Sequence, residues 1–184
     1  LTDMEVLAPV LRSFTEPPAL ESITVGEPRA GEVRVRMVAA GVCHNCLAVE
    51  QGLYPDMPLP MILGDEGADV VDAVGPGCAL LPGDHVTLSW APSCKKCLMC
   101  AKHRPALRED ASPFYMNDGT SRYSGGDEPV MHFGSSTYSP YVVVAENMAV
   151  RITSRVPLDQ INESSEALAG KELRGVILFS EDGA

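Results

Sequence analysis

With 184 residues, 45% of them hydrophobic and 21% charged, the chain has a globular composition and the length to bury the core of one domain. A formal charge of −11 excludes nucleic acid as a ligand, because no basic stripe is present to neutralise phosphates, and it opposes an anionic membrane surface. No apolar run approaches the roughly 18 residues of a membrane span, and Leu1 to Phe14, with Asp3, Glu5 and Pro9, lacks the basic-then-apolar order of a signal peptide.

The predicted elements are mostly strands. Glu32 to Val38 alternates apolar and polar residues, the period of a half-buried strand. Ala68 to Val74 does the same and is closed by Gly75-Pro76-Gly77. Pro82-Gly83-Asp84 is a turn feeding His85 to Trp90, and Tyr141 to Val144 is further strand material. Short strands with Gly/Pro punctuation favour a barrel or sandwich over a doubly wound sheet. From about Asp110 to Thr137 the chain is polar and Gly/Ser-rich, with turns at Asn117-Asp118-Gly119 and Ser124-Gly125-Gly126, and reads as a long surface lobe.

Toward the end, a helix pattern follows Pro157, with Ile161, Ala167 and Leu168 on one face, Asp159 or Asn162 as cap and Gly170 as stop. Gly175 to Phe179 is an apolar strand. Gly75-Pro76-Gly77 is followed by Pro82-Gly83 too soon for a helix, so the glycine turn of a dinucleotide-binding βαβ unit is not found. Cys94, Cys97 and Cys100 are spaced as metal ligands; without an export signal that reading precedes disulfides and points to the cytoplasm.

Several stretches then carry a resemblance. Gly41-Val42-Cys43-His44, Leu63-Gly64-Asp65-Glu66-Gly67-Ala68, Val74-Gly75-Pro76-Gly77 and Pro82-Gly83-Asp84-His85-Val86 occur in the order of zinc-dependent medium-chain alcohol dehydrogenases. Trp90 to Cys100 resembles their structural-zinc loop. Asp118-Gly119-Thr120-x-Arg122, Phe133-Gly134 and Tyr138 to Tyr141 are similar to an actinobacterial, nicotinoprotein-like subgroup. Pro157 to Glu163 and Arg174 to Ile177 look like that family's C-terminus.

The resemblance implies a mainly β fold with a few helices, a GroES-like, partly open β-barrel. It implies one domain over 1–184, with the barrel and zinc-loop/lobe region in 1–152 and a helix and strand in 153–184 packing back on it. Near Arg151 to Ser154 the sequence jumps to the family's last elements, so the Rossmann domain is expected to be absent and no NAD(P) is expected to bind. The face thereby uncovered would serve a second copy or a protein partner. Tyr54, Met57, His132 and Phe133 are placed along the substrate cleft by position alone.

The inherited chemistry is altered. Cys43 matches the first ligand of the family's catalytic zinc, Asp65 replaces the histidine ligand, and Asn45 replaces the hydroxyl of the proton relay. Cys46 replaces an aspartate. Cys43, His44, Asn45, Asp65 and Glu66 are the candidate catalytic residues, with Cys46 and Trp90 toward the substrate. The bland alternatives also stand: Cys43 a small buried hydrophobe, Asp65 a turn residue, His44 structural, Trp90 core. In the cysteine loop the fourth ligand position is Arg108, which cannot ligate zinc, and His103 is its substitute. A structural zinc on Cys94, Cys97, Cys100 and His103 is the cofactor expectation. A redox-neutral reaction on a small organic substrate is the functional one, beside a non-catalytic partner subunit and a dehydrogenase completed by a separate coenzyme domain.

Overall fold

The computed structural model describes residues 2–90, 94, 96–108, 114–116, 118–152, 154–157 and 175–178. Residues 1–150 and 151–184 are separate compact units. The first is built on two five-stranded sheets and is the GroES-like, mainly β fold expected.

One sheet runs β10 (Ala149–Arg151), β6 (His85–Leu88), β5 (Glu66–Val74), β3 (Glu32–Gly41), β9 (Tyr141–Ala145). The alternation in β3 and β5 sends Val33, Val35 and Val71 inward, where they pack with Val86, Leu88, Val142 and Val144. Strand β3 extends past Val38 to Gly41 and β6 stops at Leu88, short of Trp90. The long β3–β5 pairing ends at Gly41↔Glu66, which brings the start of helix α1 (His44–Glu50) beside the start of β5.

The other sheet runs β1 (Met4–Val10), β2 (Ala19–Val25), β7 (Tyr123–Gly125), β8 (Glu128–His132), β4 (Met61–Ile62). Leu11, just past β1, exchanges two backbone hydrogen bonds with Met61 of β4, at 2.8 and 3.0 Å. The ends of the strand order therefore meet, and the sheet curls. Between the strands lie Ile23, Val25, Ile62, Tyr123, Val130 and Val143. A third apolar group, Leu11, Cys46, Val49, Met61, Leu63, Met131 and Phe133, packs α1 against the curl.

The surface lobe expected over Asp110 to Thr137 is corrected. Ser124-Gly125-Gly126 does turn the chain, but as the tip of the β7–β8 hairpin, with Gly126 at φ +63°. Arg122, Tyr123, Val130 to Phe133 and Ser135 to Thr137 are buried. Arg122, His132 and Ser136 enter the interior on hydrogen bonds, whereas the Thr137 hydroxyl has no partner. Arg122 forks onto Glu32 at 2.8 and 2.6 Å and reaches Asp118 at 2.7 Å. His132 is a second correction: it accepts the Arg122 backbone N–H at Nε2, 3.1 Å away, and stacks on Tyr123. It belongs to the core, and burial, reinforced by the nearby Arg122 charge, lowers its pKa to about 3.

In the second unit, β11 (Ser154–Pro157) pairs in parallel with β12 (Gly175–Leu178). Parallel neighbours need a long crossover connection. The helix expected after Pro157, and Phe179, lie outside the described residues.

Candidate functional site

Helix α1 starts at Cys43, whose Sγ accepts the Cys46 backbone N–H at 3.3 Å. Cys46, one turn on, is buried, and its thiol lies 3.2 Å from Cys43 Sγ. Asn45, between them, donates from Nδ2 to Asp65 Oδ2 at 3.2 Å. One ligand atom each of Cys43, Cys46 and Asp65 lies within 4.8 Å of the others. The spacing Cys43 to Cys46 is one helical turn, and Asp65 arrives through the Gly41↔Glu66 end of the β3–β5 ladder.

Asp65 is held by a tight turn over 133–139. Thr137 and Tyr138 donate their backbone N–H groups to Gly64 and Leu63 carbonyls, both at 3.1 Å. Ser136 Oγ bonds the Ile62 carbonyl at 3.1 Å and Ser135 Oγ the Asp65 carbonyl at 3.2 Å. Gly64, at φ +114°, has Thr137 so close that a side chain would collide with it. Gly134, at φ +55°, leaves open the space into which Asp65 Oδ1 projects, with Trp90 Cβ at its rim. Burial raises the Asp65 carboxyl above the usual carboxylate range; the Asn45 hydrogen bond opposes this and the Glu66 charge adds to it.

The remaining predicted residues fall around this centre. Trp90 is 60% exposed, so the core reading is corrected: it stands at the surface, with its Cβ beside Gly134. His44 is exposed in the first turn of α1, and Glu66 is exposed, folded against Gly41. Met57 and Phe133 join the apolar group under α1, while Tyr54 is exposed. Gly134, Ser135 and Tyr138 were not legible as site residues, because a Gly-Ser-Ser-Thr run reads as a loop. The Tyr138 hydroxyl is buried toward the Cys46 thiol, without a partner of good hydrogen-bond geometry.

Cys94, Cys97 and Cys100 form the second cluster, their sulfurs within 4.8 Å of one another. Backbone N–H groups of Cys94, Cys97 and Cys100 donate to Cys100, Cys94 and Cys97 sulfurs at 3.3 to 3.4 Å. Such donors stabilise thiolates, and the set fits a structural zinc. His103, exposed at φ +56°, stands outside the group, and Arg108 follows the short 3-10 turn Pro105–Leu107.

The catalytic zinc of the family is a different matter. Two thiolates 2.3 Å from one tetrahedral ion stand about 3.8 Å apart. Cys94 and Cys100 sulfurs, at 3.5 Å, come near that, but Cys43 and Cys46 at 3.2 Å are collapsed on each other. Burial also raises the Cys46 pKa, which opposes loss of its proton. To hold a metal here the two sulfurs would have to part and Asp65 would have to leave Asn45.

A curled two-sheet barrel, a cysteine loop and a cysteine at the start of α1 close to Asp65, just before β5, define a dehydrogenase-type substrate domain. Residues 29–154 match the alcohol dehydrogenase GroES-like domain, and the chain belongs to that family. It is 40% identical over 152 residues to "Probable S-(hydroxymethyl)glutathione dehydrogenase 1" of Schizosaccharomyces pombe, covering 79% of this chain and 40% of that protein. To alcohol dehydrogenase class-3 of Caenorhabditis elegans it is 35% identical over 161 residues, with 84% and 42% covered. An alcohol dehydrogenase zinc-binding domain protein from Burkholderia ambifaria superposes with a TM-score of 0.75 at 36% identity, over 82% of this chain and 42% of that one. Benzyl alcohol dehydrogenase from Acinetobacter calcoaceticus gives 0.72 at 31% identity, over 83% and 42%. The chain thus spans about two fifths of the length of the curated relatives it matches.

Proposed function

We propose that this domain runs a redox-neutral reaction on a small organic substrate, with Asp65 moving the proton. The observation that carries the reading is Asp65 itself: a half-buried carboxyl with raised proton affinity, oriented by Asn45 at 3.2 Å, its Oδ1 seated where a side chain at Gly134 would otherwise lie. A carboxyl so placed holds a proton closer to neutral pH than a solvated one does, as an acid–base group requires. Asn45 orients without exchanging a proton, which suits positioning and not a hydroxyl relay. Trp90 offers an apolar face at the rim. Cyclisation, isomerisation, elimination and hydrolysis all fit one such group.

The compartment proposed is the cytoplasm and the setting bacterial secondary metabolism; all six cysteines are free, as a reducing compartment maintains them. No helix among the described residues is long and apolar enough to cross a membrane. A second reading, favoured by the relatives' own names, is that the domain serves alcohol oxidation alongside a coenzyme domain.

The test is turnover of small carbonyl and hydroxy compounds, with and without NAD(H), by the parent and by Asp65→Asn. The amide keeps the Asn45 side but holds no acidic proton, so kcat is expected to fall at least ~100-fold with KM nearly unchanged. NAD-dependent turnover surviving in Asp65→Asn would replace this reading with the second.

Cys94, Cys97 and Cys100 are proposed to hold zinc, which would tie their loop together. Elemental analysis is expected to give one zinc per chain for the parent and less than a tenth of that for Cys97→Ser. Equal zinc in both would remove the assignment.

A further inference from the structure

Cys43 and Cys46 have a property that the proton-transfer reading does not use. Their sulfurs are in contact at 3.2 Å, closer than one zinc ion would hold them, and two residues separate them in sequence. Cys43 is half-buried, and Val42, His44 and Asn45 beside it are exposed. Cys46 is fully buried behind it, packed with Leu11, Val49, Met61 and Leu63. One cysteine is thus partly exposed, and the other is shielded with its sulfur already touching the first. That is the arrangement of an attacking and a resolving thiol. Cys94, Cys97 and Cys100 are arranged otherwise: three sulfurs share backbone donors, and the one measured sulfur pair is wider, at 3.5 Å.

The geometry points to a redox-active dithiol at Cys43 and Cys46 that exchanges with low-molecular-weight disulfides of the glutathione type. Cys43, as thiolate, attacks one sulfur of the small disulfide R–S–S–R. The S–S bond breaks, a Cys43–S–S–R mixed disulfide forms, and R–S⁻ leaves to take up the proton that Cys43 gave. Cys46 sulfur then attacks Cys43 sulfur; its proton goes to the second departing R–S⁻. The protein dithiol is oxidised by two electrons and the small disulfide is reduced to two R–SH. Closing the bond brings the sulfurs about 1 Å nearer than they stand, to the ordinary disulfide length.

The full chain, zinc present, is equilibrated against graded ratios of reduced and oxidised glutathione, alkylated, digested and mapped by mass spectrometry. The expected result is joint loss of alkylation at Cys43 and Cys46 with one two-electron midpoint and a mass lower by two hydrogens. Cys46→Ser is expected instead to accumulate a glutathione adduct on Cys43. Both residues staying alkylated at every ratio, or losing alkylation independently, overturns the proposal. Oxidation that starts only after a chelator strips zinc also overturns it, since the pair would then be metal ligands. The parent map decides without the variant, so a Cys46→Ser chain that fails to fold leaves the test intact. Because no turnover is read, failure of the Asp65 reading would not imitate failure here.

Discussion

Replacing Arg122 by alanine is expected to remove about 3–5 kcal/mol of stability, the size of effect seen when one partner of a buried ion pair is deleted. The Arg122 side chain is 2% exposed and Glu32 10%, and the fork between them joins the first residue of β3 to the residue just before β7. Without the guanidinium, Glu32 retains only its hydrogen bond from the Arg29 backbone, 2.9 Å away. Asp118 loses one of its two arginines, Arg29 remaining on it at 2.7 Å. Lysine keeps the charge but not the fork, so Arg122→Lys should recover less than half of the loss. The cost is mainly the stranded carboxylate, so Arg122→Met combined with Glu32→Gln should be less destabilised than Arg122→Ala alone. Urea midpoints of the four chains check this ordering; a single Ala variant within 1 kcal/mol of the parent would contradict it.

Asp69→Asn is expected to stabilise the protein, and only above acidic pH. Asp69 sits in β5 at 3% exposure; Val38 N–H donates to Oδ1 at 3.0 Å, while Oδ2 has no partner. Burial raises its pKa from 3.8 to about 7, with the Val38 bond opposing. The folded chain therefore binds this proton more tightly than the unfolded chain. Stability from this group is complete below about pH 3.8 and is lost as pH rises toward 7. The amide has no charge to bury, so the variant should gain roughly 2–4 kcal/mol at pH 8 and about nothing at pH 3.5. His132 acts in the opposite direction in both chains: its lowered pKa makes stability fall as pH drops from 6.5 toward 3. Denaturation at the two pH values separates the effects, and an equal gain at both would sink the Asp69 account.

Alternation made β3 and β5 legible, because each has one face in the core. It did not announce β1 and β2, where Leu7 and Leu20 face solvent at positions that an inward pattern would give to polar residues. The 110–137 stretch misled for the converse reason. Its turns were correctly placed, but composition alone does not show that Arg122 finds Glu32 ninety positions away, or that His132 finds a backbone N–H. In the site, motif order supplied Cys43, Asn45 and Asp65. Their support, Gly134 and Ser135, comes from a distant turn whose role depends on contacts with residues 62–65. Trp90 was placed near the site by its distance from Cys94, while the preference of large aromatics for cores pointed the wrong way.

The reciprocal bonds between Leu11 and Met61 bear on encounters between molecules. The bond pair at Leu11 and Met61 fastens one end of the outer edge of β1, and exposed strand edges are where chains zip into aggregates. Opening that stitch would lengthen the unpaired edge. Slow exchange of the Leu11 and Met61 amides with deuterium would therefore mark solubility in a refolding mixture, since their release precedes strand-to-strand association.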